Sequence, residues 1–414
     1  MRAIVTLFIF LIVGYLGSRR FVSRAMHRYP WSGLLVTGAE FLLFGAVLGP
    51  GVAGLITGEV MADLEPVIYL TLGSIGVLVG IEATWGQVKR TSSAVMRVLA
   101  QDTISFLLVV TPFAYLAVGR LFPGVPAPER FLGAAVLAVT ASINSPTIIA
   151  LLSRILPSRG PFTSTIKIIA ALNPFLPLFT FGLLFTVLHP RVFGADFIGA
   201  GILWWMFLNL VALTLGFFMV LFTRERCTGN EMLLVIAGTV LIVGGVCYFL
   251  QLSSLYTGMV MGFVVGNFSR KRDQIFRELH HIEKILFVAF LILVGATLRI
   301  DTPWVAAVAA GYVVLRLLLK TVATGGAFET GFPHLYPRRG SGLAFIAQGG
   351  LALAIAADYG LATESDLSHF VLAVVAVAVV INDVVAVFVT RRILLAAGEV
   401  VEPAKRRRKG ARDA

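Results

Sequence analysis

Charge is scarce in this chain of 414 residues and cysteine nearly missing: 14% of the residues are Asp, Glu, Lys or Arg, and only two are Cys. Cys227 and Cys247 lie in or beside apolar segments and offer neither a disulfide framework nor a paired metal-binding spacing. No activated nucleophile, metal cluster or phosphate loop stands out, so an enzyme is not expected, nor a cofactor or resident metal. What remains is apolar: 58% of the residues are hydrophobic, and the mean hydropathy is +0.90. That composition excludes a soluble globular domain. A bilayer's hydrocarbon core of ~30 Å takes ~20 apolar helical residues to cross, so about thirteen crossings would absorb most of the chain.

Apolar runs broken by polar or Gly/Pro clusters place these crossings near 3–17, 31–48, 66–84, 96–119, 131–153, 163–188, 197–222, 231–250, 252–268, 284–299, 303–327, 342–358 and 367–390. Arg19, Arg20, Arg24 and Arg28 follow the first run, which lacks a small-residue cleavage site and reads as a retained helix. Alternate loops then collect 26 of the 34 Lys and Arg residues on one side. Positive loops stay in the cytoplasm, so the N-terminus is expected outside and the C-terminus inside, in a bacterial inner membrane. The net charge of +12 therefore reports orientation, not a nucleic-acid partner. The basic tail, 391–414, with its run from Lys405 to Lys409, would meet anionic lipid.

An odd count permits six spans, a connecting seventh and six more of opposite orientation, an arrangement common among secondary transporters. The expected class is an all-α polytopic membrane protein: one transporter domain over 1–390, with repeats near 1–190 and 231–390. A weak internal match supports it. Ala171-Leu172-Asn173-Pro174 leads to Phe179-Thr180, and Val380-Ile381-Asn382-Asp383 leads to Phe388 and Thr390. The preceding pair of spans carries breaking or polar residues at Asn144-Ser145-Pro146 and at Gln348-Gly349-Gly350. Broken helices at matching places mark a substrate site near the midplane.

The chain resembles the monovalent cation:proton antiporter superfamily, the sodium/hydrogen exchanger-like proteins, along most of its length. Gly38 to Gly45 with Leu48-Gly49-Pro50, Val79-Gly80-Ile81-Glu82, the run from Ala134 to Leu156 around Asn144-Ser145-Pro146, and Phe287 to Arg299 are similar to family segments, and Arg316 stands where an intramembrane basic residue is kept. The resemblance implies alternating-access exchange of a monovalent cation, sodium or potassium, for protons. A homodimer is the expected assembly. At one place the chain departs: where the family has an Asp-Asp or Asn-Asp pair after the broken helix, whose second Asp binds the ion, this chain has Asn173-Pro174, and the usual acid a turn earlier is replaced by Ile169.

Asp383 is the best substitute carboxylate, midway along the last span and beside Asn382; burial disfavours the charged form of such a group and suits it to carry a proton. Its alternative role is to pair with Arg316, about 20 Å into its span and too deep to reach water, which needs a partner. Lys320 and Lys167 lie nearer the cytoplasm and are expected to snorkel. Asn144, Ser145 and Asn173 offer neutral oxygens for a cation, or else kink-stabilising hydrogen bonds, with carbonyls freed by Pro146 and Pro174. Gln348 carries the same two readings. Asp102 is either a proton-entry residue or a water-exposed acid. Glu40 and Glu82 read as structural, Gly258, Gly262 and Gly266 as a packing stripe, and His280-His281 with Glu283 as a solvated linker. Two rival functions stay open: a non-transporting regulator on the same fold, and an anion or organic-acid carrier using Arg316 with the helix N-termini at the breaks.

Overall fold

A computed structural model describes residues 38–50, 53–156, 158–188, 198–224, 229–298, 303–335, 340–363 and 365–400. The first expected span, the four arginines after it and the tail from 401 lie outside the described residues. Within them the regular structure is helical. Helices α1 (Ala39–Leu48), α2 (Gly58–Glu82), α3 (Trp85–Arg90), α4 (Ser93–Leu121), α5 (Ala127–Ser142), α6 (Pro146–Ile155), α7 (Pro161–Leu172) and α8 (Phe175–Leu188) form the first part. After them come α9 (Ile198–Arg224), α10 (Gly229–Leu250), α11 (Ser254–Phe268), α12 (Arg272–Thr297), α13 (Pro303–Leu319), α14 (Gly325–Gly331), α15 (Gly350–Thr363) and α16 (Asp366–Ala396).

Nine helical segments among the described residues are long and apolar enough to cross a membrane, and with the shorter apolar helices α11 and α15 they occupy the third to thirteenth expected spans. The chain is an integral membrane protein. Serines start several of these helices: Ser92, Ser145 and Ser253 each accept a first-turn amide, and Ser365 closes a capping box with Ser368. The basic segment at 270–284 is not a linker. It is the first half of α12, which begins at Arg272, because Ile275 and Leu279 bury one face at i,i+4 spacing while charges take the other. The last helix likewise continues past Arg391 and Arg392 to Ala396. Just beyond it, the Glu399 carboxylate caps the start of α7 through the amides of Phe162 and Thr163 (2.8 and 2.9 Å).

Two bundles pack side by side. In one, α1, α2, α10, α11 and α12 contact each other; in the other, α4 to α8 pack with α13 to α16, while α9 lies against α8 and α11. The first bundle is built on the α2–α11 pair. Side chains added at Gly258, Gly262 or Gly266 would collide with the carbonyls of Gly73, Val77 and Ile81, and at Gly76 or Gly80 with those of Leu255 and Met259. The glycine stripe is therefore a packing device, as in other close membrane-helix crossings. Outward faces stay apolar, with Leu203, Leu210, Leu108 and Val322 exposed where lipid would lie.

Replacing Gly262 by Leu should separate α2 from α11 and lower stability by at least about 1–3 kcal/mol, the usual range for overpacking. Thermal unfolding in detergent checks this, with Gly86→Leu, where the added Cβ meets nothing, as the neutral comparison.

Candidate ion site at the helix crossover

Two of the spans are interrupted where they meet. The first runs as α5 to Ser142, turns extended through 143–145, and resumes as α6 at Pro146. The second is a 3-10 turn over Ser341–Phe345, an extended stretch through Gly349, and α15 from Gly350. The Ser145 amide donates to the Ala347 carbonyl at 2.8 Å, joining the two breaks. Gly349 has φ +69 with the Ser145 side chain against it, so any larger residue would be strained and would clash.

Breaking two helices inside a membrane releases carbonyls and amides that no water can bond, and side chains must serve them. Arg316, fully buried, donates one guanidinium nitrogen to the Ala141 carbonyl and another to those of Ile143 (2.8 Å), Ile346 (3.0 Å) and, more weakly, Phe345 (3.4 Å). The expected ion pair with Asp383 is not among the ion pairs of the described residues. A planar fork answers four carbonyls on two chain segments better than it answers one carboxylate. The freed amides are served by the last residues of the match between repeats. Asn173 Oδ1 accepts the Asn144 amide at 2.7 Å, and Asp383 Oδ1 accepts those of Gln348 (2.9 Å) and Gly349 (3.2 Å). Structurally, then, Asp383 plays to its break the part that Asn173 plays to the other, one residue out of step with the sequence match.

Lys320 does not snorkel. Its side chain is completely buried and its ammonium binds both oxygens of Asp102, at 2.8 and 2.9 Å, with the Ser142 carbonyl at 3.0 Å and the Phe106 ring 4.6 Å away. Asp102, 1% exposed, is equally remote from water. It also accepts from Thr324, from Asn173 Nδ2 (3.0 Å) and from Asn144 Nδ2 (3.4 Å). The reason is position: Arg316, Lys320 and Thr324 are spaced by four along one helical face, turned inward across a π-helical turn at Lys320–Thr324. That spacing could have revealed Thr324, which the sequence reading passed over. Tyr312, on the same face, was missed too; its hydroxyl accepts from Gln348 Nε2 at 2.7 Å and donates to Thr140 at 3.2 Å.

The amide orientations follow from these partners. Gln348 Nε2 faces the Thr140 carbonyl (2.9 Å), so its Oε1 accepts from Asn382 Nδ2 (2.9 Å) and Asn382 Oδ1 is left over. Asn144 turns its Nδ2 to Asp102 and leaves its own Oδ1. Three buried oxygens of the crossover thus have no hydrogen-bond donor: Asn144 Oδ1, Asn382 Oδ1 and Asp383 Oδ2. A cavity of about 300 Å³ reaches Asn144, Ser145, Gln348 and Gly349 from the side of Glu82 and His280, running between α2, α12 and the two breaks. Pro146 and Pro174 line it as well. Of the three residues with a donor-free oxygen, Asn144 lines this cavity, while Asn382 and Asp383 lie behind Gln348 and Gly349, to which they are bonded.

No family model and no curated protein matches the chain by sequence. Among solved structures it is similar to the sodium proton antiporter MjNhaP1 from Methanocaldococcus jannaschii at pH 8, with a TM-score of 0.64 and 14% identity over 95% of this chain and 100% of that one. It is also similar to the same antiporter as determined from an electron-microscopy map, with a TM-score of 0.59 and 16% identity over 97% and 99% of the two chains. The chain has a sodium proton antiporter fold, the class its residues resemble.

Lys320→Met would leave the Asp102 carboxylate buried without its counter-charge and should lower stability by about 3–5 kcal/mol, whereas Lys320→Met with Asp102→Leu should recover much of the loss. Thermal unfolding of the three purified forms reads this directly; equal losses in the single and double variants would contradict it.

Proposed function

We propose that this protein exchanges a monovalent cation, sodium or potassium, for protons by alternating access, with Asp383 as the exchanging carboxylate. The observation that carries the reading is the set of three donor-free oxygens at the crossover, one of them on a carboxylate. Asp383 is held by two amides through one oxygen, while the other can take a proton or enter a cation's coordination shell, but not both. Asn144 and Asn382 supply neutral oxygens, which replace part of the cation's hydration. Asp102 is bound to Lys320, Thr324 and two asparagines, so it positions Asn144 and Asn173 and does not itself receive the ion. Arg316 fixes the two breaks in register.

The bias of basic residues would put the C-terminal end of α2 and the start of α12 in the cytoplasm, so the cavity beside Glu82 would be the inner entrance. The bundle of α4 to α8 and α13 to α16 would move against the α2–α11 scaffold to expose the crossover to the other side. One observation favours a second reading, a non-transporting regulator: the Lys320 ammonium, itself a tethered cation, already sits in the carboxylate of Asp102.

In proteoliposomes loaded with a pH-sensitive dye, sodium or potassium should drive proton movement. Asp383→Asn should abolish it, while Asn382→Ala should weaken apparent cation affinity by about tenfold, as expected for loss of one ligand oxygen. A dye response unchanged in Asp383→Asn rules out that residue, and no response to sodium, potassium or lithium in correctly folded protein leaves the regulator.

A further inference from the structure

A third buried carboxylate lies away from the crossover. Asp358, on α15, is 1% exposed, and its Oδ2 accepts a very short hydrogen bond from the hydroxyl of Ser253, which is wholly buried at the start of α11. The two residues belong to different bundles. The Ser253 oxygen also accepts the Tyr256 amide at 3.0 Å as the α11 cap while its proton goes to the carboxylate. The amides of Ser254 and Leu255 approach the same carboxylate, yet Oδ1 closes no hydrogen bond.

The carboxylate faces the first amides of α11, a helix start where negative charge is favoured. α11 has its cap in Ser253 and a further anchor in Ser254, whose hydroxyl donates to the Tyr69 carbonyl at 2.8 Å within the scaffold. α15 buries Ala352, Ala354, Ala356, Ala357 and Ala362 along with Leu353, Ile355 and Tyr359. Alanine surfaces slide past a neighbour at little loss, but a hydrogen bond ends within about 1 Å of displacement. The Asp358–Ser253 bond thus adds a directional contact between the two bundles.

We propose that Asp358 is a positioning residue of the transport cycle: bonded to Ser253 across the bundle interface, it holds the conformation in which the cavity reaches Asn144 and Gln348. This rests on the reading of the two bundles as moving parts. The same interface has a second cavity, of about 720 Å³, between α2, α12, α15 and α16 on the far side of the crossover; Ala62 and Gly360 line it. Releasing the bond should shift the population from the first cavity towards the second, since each contact present in one state alone weights that state.

The test uses full-length protein in detergent with Cys227 replaced by Ser; Cys247 is fully buried and does not compete for reagent. Single cysteines at Thr147, in the first cavity, and at Ala62, in the second, report access through their rates with a polar maleimide. Asp358→Ala and Ser253→Ala should each slow labelling at 147 and speed it at 62 by about threefold or more. Asp358→Asn, which still accepts from Ser253, should stay near the parent rates. Thermal unfolding and elution profiles identify any variant that fails to fold, and the two alanine variants serve as independent arms. Unchanged rates in a folded Ser253→Ala, or both rates rising together, would overturn the proposal. Labelling needs no flux, so a shift without transport would remove the antiport reading and leave the latch, and transport without a shift would do the reverse.

Discussion

The unusual residues at the crossover of this protein answer to one constraint: a helix broken inside a bilayer must have its freed backbone groups bonded by side chains. Arg316 is where that constraint is met most fully. A buried guanidinium is costly by itself, and carbonyls released at two breaks are costly as well. Brought together, they satisfy each other and tie 141–143 to 345–346. The complementary amides go to Asn173 and Asp383. Half-helices, cation clamp and side-chain acceptors form one unit, and the rest of the α4–α8 and α13–α16 bundle is arranged around it.

That unit also sorts the carboxylates by availability. Asp102 sits within reach of Lys320, Thr324, Asn144 and Asn173, and all of its acceptor capacity is used. Asp383 gives one oxygen to the break and keeps the other. The acid missing from the resemblance falls at Pro174; Asn173 beside it receives the Asn144 amide and directs its own NH₂ group at Asp102, which an acid at 173 would repel. At the first break the acceptor is the neutral amide Asn173, and at the second it is the acid Asp383.

Much of the architecture was legible because apolar length and Gly/Pro interruption are strong signals in a membrane protein. The spans from 66 to 390, the breaks at 144–146 and 348–350, and the glycine stripe on α11 all stand where composition placed them. The roles of the cations were not legible. Lys320 looked close enough to the cytoplasm to snorkel, since depth along a helix is readable while the direction of a side chain is not; its inward face follows from the spacing with Arg316 and Thr324. The acid partner expected for Arg316 turned out to be backbone, which no sequence displays. Asp358 passed unnoticed because it lies outside both the repeats' match and the breaks, and its partner Ser253 is distant in sequence.

The central claim is that a cation and a proton compete for the free oxygen of Asp383. Purified protein held in a weakly buffered detergent solution should release up to about one proton per chain when sodium or potassium is added, saturably, and Asp383→Asn should release none. No release on adding either ion, or the same release from the Asp383→Asn protein, would contradict the account.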